Sequence, residues 1–324
     1  MKYNDTCHCL HQRHDDIFKI RSLQELQTTD PDGLRYLNAH DVYATLKKLD
    51  LSRALVTTVN GDSMCCARPP RICWDTALLG SHPATRCLAL QLENAQATSV
   101  VYTPPRAPSG NLDMLHFFGA SGDLQFRIAL NDMSLAFALD ALADTAPPRR
   151  HIRPVKTDHT VHSLTATIAI KKSWHTGGAN WHLAQFQHAS GSDRLRALPL
   201  LGRDHARRVS PLVVPVWLQH LADMGLAFWR LIVGEISNQA EGSGLTDVVL
   251  QGDQLLIQSQ LGLSILDLKS VGSCWETRFR DGGCNMTFIE LYSRQGSCLA
   301  VLAPYRDHRL GYWLNLTTSL PERC

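Results

Sequence analysis

Two stretches of this chain tell the same story twice. "LHFFGASGDLQFRI" at 115–128 and "IELYSRQGSCLAVL" at 289–302 agree in apolar and polar character along most of their length, and Gly122 falls on Gly296. Each reads as strand, glycine turn, strand, which is a β-hairpin. In each half an alternating strand, "LALQL" with Leu88, Leu90 and Leu92 or "LSILDL", precedes the hairpin at a similar distance. Such strands bury one face. The pattern predicts an internal duplication, each copy running helix, antiparallel strands, hairpin, and a pocket where the copies meet.

The remaining elements fit two α+β halves. "AHDVYATLKKLD" carries Val42, Leu46 and Leu49 at helical spacing, and "ALVTTVNGDSM" is a β-branched strand running into an Asn-Gly turn. "MSLAFALDALAD" predicts a helix closing the first half. In the second half "SPLVVPVWLQHLADMG" is a helix with Pro211 and Pro215 near its start, and "LAFWRLIVGEI" and "DVVLQGDQLLIQSQLGLSILDLKS" read as strands. Between the halves, "TAPPRRHIRPVK" holds three prolines and a basic run, the composition of a solvated connection, although its arginines also suit an anion. The expected organisation is a polar tail over 1–30, a first repeat over 31–145, a linker over 146–165 and a second repeat over 166–324.

Composition excludes several classes. A net charge of +2 on 324 residues implies no bulk affinity for nucleic acid or a membrane surface. The longest apolar stretch, 212–233, is broken by Pro215, Asp223 and Arg230, so no membrane span is expected. The N-terminus, "MKYNDTCHCLHQRHDDIFKI", lacks the apolar core of a secretory signal, which predicts a cytoplasmic protein whose ten cysteines are free thiols. Within it "CHCLHQRH" offers Cys7, Cys9, His11 and His14 to a soft metal or is a terminal tail. No CxxC, P-loop, Rossmann fingerprint or HExxH is present.

Fifteen histidines are the one compositional hint of metal, heme or proton chemistry. "GGANWHLAQFQHASGSDRLR", 177–196, sets His182 and His188 on one short helix after a glycine pair. Six residues apart, they point about 240° from each other and cannot face one ligand atom. His175, seven before His182, would share its face, but Gly177 and Gly178 interrupt any continuous helix.

"SCWETRFRDGGCNMTFIELYSRQGSCLAVLAPYR" resembles the C-terminal hallmark of the HemS/ChuS-type hemin-utilisation proteins through Trp275, Thr277, Arg278, the Asp281-Gly282 turn, the Ile289-Glu290-Leu291 strand and Arg306. The first-half hairpin, the duplication and the length also resemble that family. The resemblance implies two homologous α+β halves, each a large antiparallel sheet flanked by helices, with one heme in the cleft between them. It implies an axial histidine just after the linker at a helix start, and "NWHLAQF" is the similar stretch here, with His182 as the iron ligand and Asn180 as the helix cap.

On that resemblance Trp181 and Phe186 would wall the macrocycle, Arg194 and Arg196 would receive propionates, and Tyr305 and Arg306 would close the other side. The family's distal arginine is matched by Gln91, which hydrogen-bonds a water but supplies no charge. The reading is therefore a cytoplasmic heme carrier or store, with a heme importer, heme oxygenase or reductase as donor or recipient and a homodimer as a candidate assembly. Its alternatives are a heme-degrading, heme oxygenase-like enzyme and a diverged scaffold that has lost heme.

Overall fold

The computed structural model describes residues 21–29, 33–48, 51, 54–61, 63–68, 72–73, 87–92, 99–104, 113–130, 142, 164–187, 191–234, 237–305 and 309–323. The Cys/His tail, the predicted helix after the first hairpin apart from Leu142, the linker up to residue 163, His188 and Arg306 lie outside them.

In chain order the helices are α1 (Leu23–Thr29), α2 (Ala39–Leu46), α3 (Leu164–Ser173), α4 (Ala179–Gln187), α5 (Gly191–Ala197), α6 (Val214–Asp223) and α7 (Leu310–Thr318). The first-half strands are β1 (Arg35–Leu37), β2 (Leu55–Asn60), β3 (Ser63–Ala67), β4 (Ile72–Cys73), β5 (Cys87–Leu92), β6 (Ser99–Thr103), β7 (Asp113–Phe118) and β8 (Leu124–Leu130). The second half adds β9 (Ala206–Val209), β10 (Ala227–Val233), β11 (Ser237–Gln251), β12 (Gln254–Ser259), β13 (Gly262–Asp267), β14 (Val271–Asp281), β15 (Cys284–Ser293) and β16 (Cys298–Pro304).

The sheet is antiparallel apart from the short β4–β5 pair, and its order is β1-β6-β7-β8-β2-β3-β13-β12-β11-β10-β16-β15-β14-β9. Read from either end the order is equivalent: β1-β6-β7-β8-β2-β3 mirrors β9-β14-β15-β16-β10-β11. The registers agree as well. Val56 opposite Ile128 becomes Arg230 opposite Leu302, and His116 opposite Arg127 becomes Glu290 opposite Val301, each shifted by 174 residues like Gly122 to Gly296. The two alternating strands then change places. β5 pairs with β11 of the second half, and β13 pairs with β3 of the first, Ala89 opposite Ala240 becoming Leu263 opposite Cys66 under the same shift. Each half thus completes the other's sheet, which gives the duplication a physical rather than a textual basis.

Cys65 and Gln239, equivalent under that shift, touch where the halves cross, the Gln239 amide donating to the thiol at 3.2 Å. Beside them Glu241 is buried against Arg230 at 2.6 Å, a charge contact, and accepts from Ser243 at 2.8 Å and from Ser259.

The second sheet is covered on both faces, and β10 shows how alternation sorts its residues. Phe228 and Ile232 join Trp217, Leu218 and Leu221 of α6 and Trp313 of α7. Trp229, Leu231 and Val233 face the opposite way, into a core with Trp174, Leu183 and Phe186 of the α3–α5 region. In the first half Val42, Tyr43 and Leu46 of α2 pack on Leu115, Phe117 and Ile128. The side chain of Asn38 caps α2 by accepting from the His40 backbone at 3.0 Å.

Candidate functional site

The glycine pair sets up the site. α3 ends at Ser173, a turn follows, and the His182 N–H bonds the Gly178 carbonyl at 3.1 Å to open α4. Gly178 thus occupies the cap position expected of Asn180, which lies exposed in the first turn. A Cβ at Gly177 would stand 2.4 Å from the Trp181 ring, so only glycine lets that indole fold back over the turn. His175 points elsewhere and pairs edge-to-face with His205, centroids 4.5 Å apart.

His182 is wholly buried. Its ring stacks on Phe279 with centroids 3.8 Å apart, and Trp174 and Trp181 meet it edge-to-face at 4.6 and 4.8 Å. Arg194 Nη1 donates to His182 Nδ1 at 3.2 Å. Arg194 in turn grips Glu290 through two bonds, Nε to Oε2 at 2.9 Å and Nη2 to Oε1 at 2.5 Å, and its guanidinium lies 4.5 Å from the ring centres of both Trp174 and Phe186. Glu290 also accepts from Tyr292 at 2.6 Å and from Thr277. The side chains come together because β15 alternates, turning Phe288, Glu290 and Tyr292 toward α3–α5 and Ile289 and Leu291 toward α6 and α7.

The electrostatics follow from this enclosure. Burial first, and the Arg194 charge second, hold the His182 pKa down at about 2 against an opposing pull from the Trp174 backbone, so the ring is neutral. Burial works against the Arg194 charge, but Glu290, with Tyr292 and Cys298 adding to it, outweighs that and keeps the guanidinium pKa above its ordinary value. Burial and the Glu290 charge push the Tyr292 hydroxyl well up, so it remains a donor.

His182 Nε2 is the exception. Among the described residues no group meets this buried nitrogen in hydrogen-bonding geometry, the Trp174 backbone being the acceptor that acts on the ring. The first half holds a second arginine–histidine pair, at a different place in the repeat: His116 Nδ1 accepts from Arg127 Nε at 3.2 Å, and its Nε2 meets the Thr103 hydroxyl at 3.2 Å. Under the 174-residue shift Thr103 corresponds to Thr277 and His116 to Glu290. Both histidines are bonded by an arginine at Nδ1, but only His116 has a side-chain hydroxyl at its second nitrogen. A buried ring nitrogen left without a hydrogen bond costs about 1–3 kcal/mol.

The other expected residues are distributed around this centre. Phe186 is buried beside Arg194, and Trp181 is half-buried against His182. Tyr305 joins the same core, tilted against Trp229 with centroids 5.2 Å apart and lying over Gly242. Gln91 stands on β5 opposite Asn238. Arg194 and Arg196 do not converge as expected, because two residues on a helix turn through about 200°. Arg194 is spent inside the core; Arg196 is exposed and lines a surface pocket of about 350 Å³ with Arg208, Arg294, Ser273 and Ser293. Trp174, Phe279, Glu290 and Tyr292 were not singled out from the sequence as site residues. A carboxylate at an inward position between Phe288 and Tyr292 was the available signal.

The fold is a duplicated α+β architecture with exchanged strands, and this is the architecture of the HemS/ChuS-type proteins. Over 99% of this chain and 98% of the other it matches PhuS, a heme-binding protein from Pseudomonas aeruginosa, at 14% identity and TM-score 0.73 for the apo form and 15% and 0.74 for the holo form. It matches ChuS, a heme-degrading enzyme from Escherichia coli O157:H7, over 98% of each chain at 17% identity and TM-score 0.72. No protein-family model and no curated protein matches the sequence. Among the described residues no helix is long and apolar enough to cross a membrane, and no cluster of three or more metal-ligating side chains occurs.

A histidine-ligated heme needs a neutral imidazole nitrogen and apolar walls. His182 is neutral and lies among the rings of Trp174, Trp181 and Phe279, with Nδ1 engaged by Arg194 and Nε2 as its other nitrogen.

Proposed function

We propose that the chain binds one heme through His182, at the face of the second sheet covered by α3–α5, and serves as a cytoplasmic carrier or store in hemin utilisation. The observation that carries this reading is the unsatisfied Nε2 of His182 inside an aromatic enclosure, in a fold shared with a heme-binding protein. When bound, heme would supply an iron that accepts a ring nitrogen and a flat apolar surface for the rings around it. Trp181 and Phe186 would wall it, Tyr305 would close the far side, and Arg196 would offer an exposed cation to a propionate. Arg194, already bonded to Glu290 and His182, orients the histidine instead.

A carrier is favoured over a degrading enzyme because Gln91 stands where the resemblance expects a cationic distal group. Hemin titrated into the protein is expected to give a saturable Soret band that His182→Ala abolishes. No saturable band would leave a diverged scaffold. If heme binds, ascorbate or a reductase under oxygen separates the other two: a persistent Soret band marks a carrier, and its loss with an open-chain tetrapyrrole product marks a degrading enzyme. A heme importer, a heme oxygenase and a second copy of the chain are the partners to test by co-purification.

A further inference from the structure

His182 is neutral, and its Nδ1 faces a guanidinium. A guanidinium carries donors and no acceptor, so Nδ1 must hold the lone pair and the single ring proton must sit on Nε2. An axial ligand needs the reverse. Its Nε2 must present the lone pair while Nδ1–H donates to a carboxylate, carbonyl or water. The ring has little room to turn over, with Phe279 across its face at 3.8 Å and Trp174 and Trp181 on its flanks. Arg194 is equally constrained, held by two bonds to Glu290 and seated between Trp174 and Phe186. His116 repeats the arginine-to-Nδ1 bond, but Thr103 completes it, as suits a purely structural histidine.

We propose that Arg194, braced by Glu290, is a positioning residue that keeps His182 in the tautomer unable to ligate, so that loading requires the Arg194–Nδ1 bond to break. The inference rests on the heme reading and adds a latch to it. Once Arg194 withdraws, Glu290, the next group in the same hydrogen-bonded chain, is the acceptor the array offers to Nδ1–H. No electron moves and the ring stays neutral: Nε2 gives one proton to solvent and Nδ1 takes one from it.

The tautomer can be read without heme. In full-length heme-free protein labelled with ¹⁵N-histidine, long-range ¹H–¹⁵N correlation, with His182→Gln for assignment, is expected to show His182 protonated at Nε2. Protonation at Nδ1 would overturn the proposal. The double variant Arg194→Met with Glu290→Gln removes the donor to Nδ1 and both buried charges together, leaving an acceptor for Thr277 and Tyr292. It is expected to gain the Nδ1–H tautomer and to take up hemin about tenfold faster in stopped flow, the worth of one charge-assisted hydrogen bond. Unchanged uptake would overturn the latch. If neither protein binds hemin, the heme reading falls, while the ¹⁵N spectrum still decides whether Arg194 sets the tautomer.

Discussion

Single side chains in this protein are constrained mainly by what they leave unpaired. Removing one member of the Arg194–Glu290 pair strands a buried charge, so Glu290→Ala is expected to cost about 3–5 kcal/mol. Arg194→Met with Glu290→Gln should cost clearly less, because no lone charge remains; denaturant titration of both variants measures the difference. His116 makes stability depend on pH. Burial, then the Arg127 charge, hold its pKa well below the ordinary 6.5, so the unfolded chain binds a proton that the folded chain refuses. This contribution is complete above about pH 6.5 and is lost as pH falls below it, at up to about 1.4 kcal/mol per unit. Urea midpoints at pH 7 and pH 5 should differ more for the parent than for His116→Gln; equal differences would assign the slope to other groups.

Among the elements, β13 has the most demanding position, because it must reach a sheet belonging to the other half. Gly262 opens it, and a Cβ there would lie 2.0 Å from the Cys66 carbonyl and 2.7 Å from the Ala67 Cα. Backbone cannot yield as a flexible side chain does. Gly262→Ala is therefore expected to cost at least 2 kcal/mol, on the order of an overpacked core, and to loosen the β3–β13 pairing, visible as faster amide exchange at Cys65 and Cys66. Gly177→Ala also meets a close neighbour, but that neighbour is the Trp181 ring. Its expected effect is local, shifting Trp181 fluorescence and the setting of His182.

At the scale of the molecule the exchange of β5 and β13 ties the two halves into one folding unit. A second half produced alone, residues 166–324, lacks the partner that β5 gives to β11 and exposes that edge. It is expected to aggregate or associate on size exclusion, whereas the whole chain should unfold in one cooperative step. Six of the seven tryptophans lie after residue 165, so fluorescence follows the second half while far-ultraviolet circular dichroism follows both. Coincident transitions are the expected result, and separated ones would show that the halves unfold independently.

Much of this architecture was legible in the amino-acid order, because hydrophobic alternation and glycine turns act over a few residues. The two hairpins, the Asn60-Gly61 turn, helices α2 and α6 and the break at Gly177-Gly178 all follow from such local rules. The duplication was legible for the same reason, as one local pattern written twice. The sequence also singled out His182, through a resemblance covering a few residues, and tied Arg194 and Arg196 to one task. Helical periodicity in α5 separates those arginines, but joining Arg194 to Glu290 across 96 positions took the closure of helix on sheet. The exchange of β5 and β13 was likewise decided only by tertiary structure, since an alternating strand specifies which face it buries but not which sheet it completes. Local periodicity fixes what each segment becomes; only packing between distant segments fixes which nitrogen of His182 is satisfied and which is left without a partner.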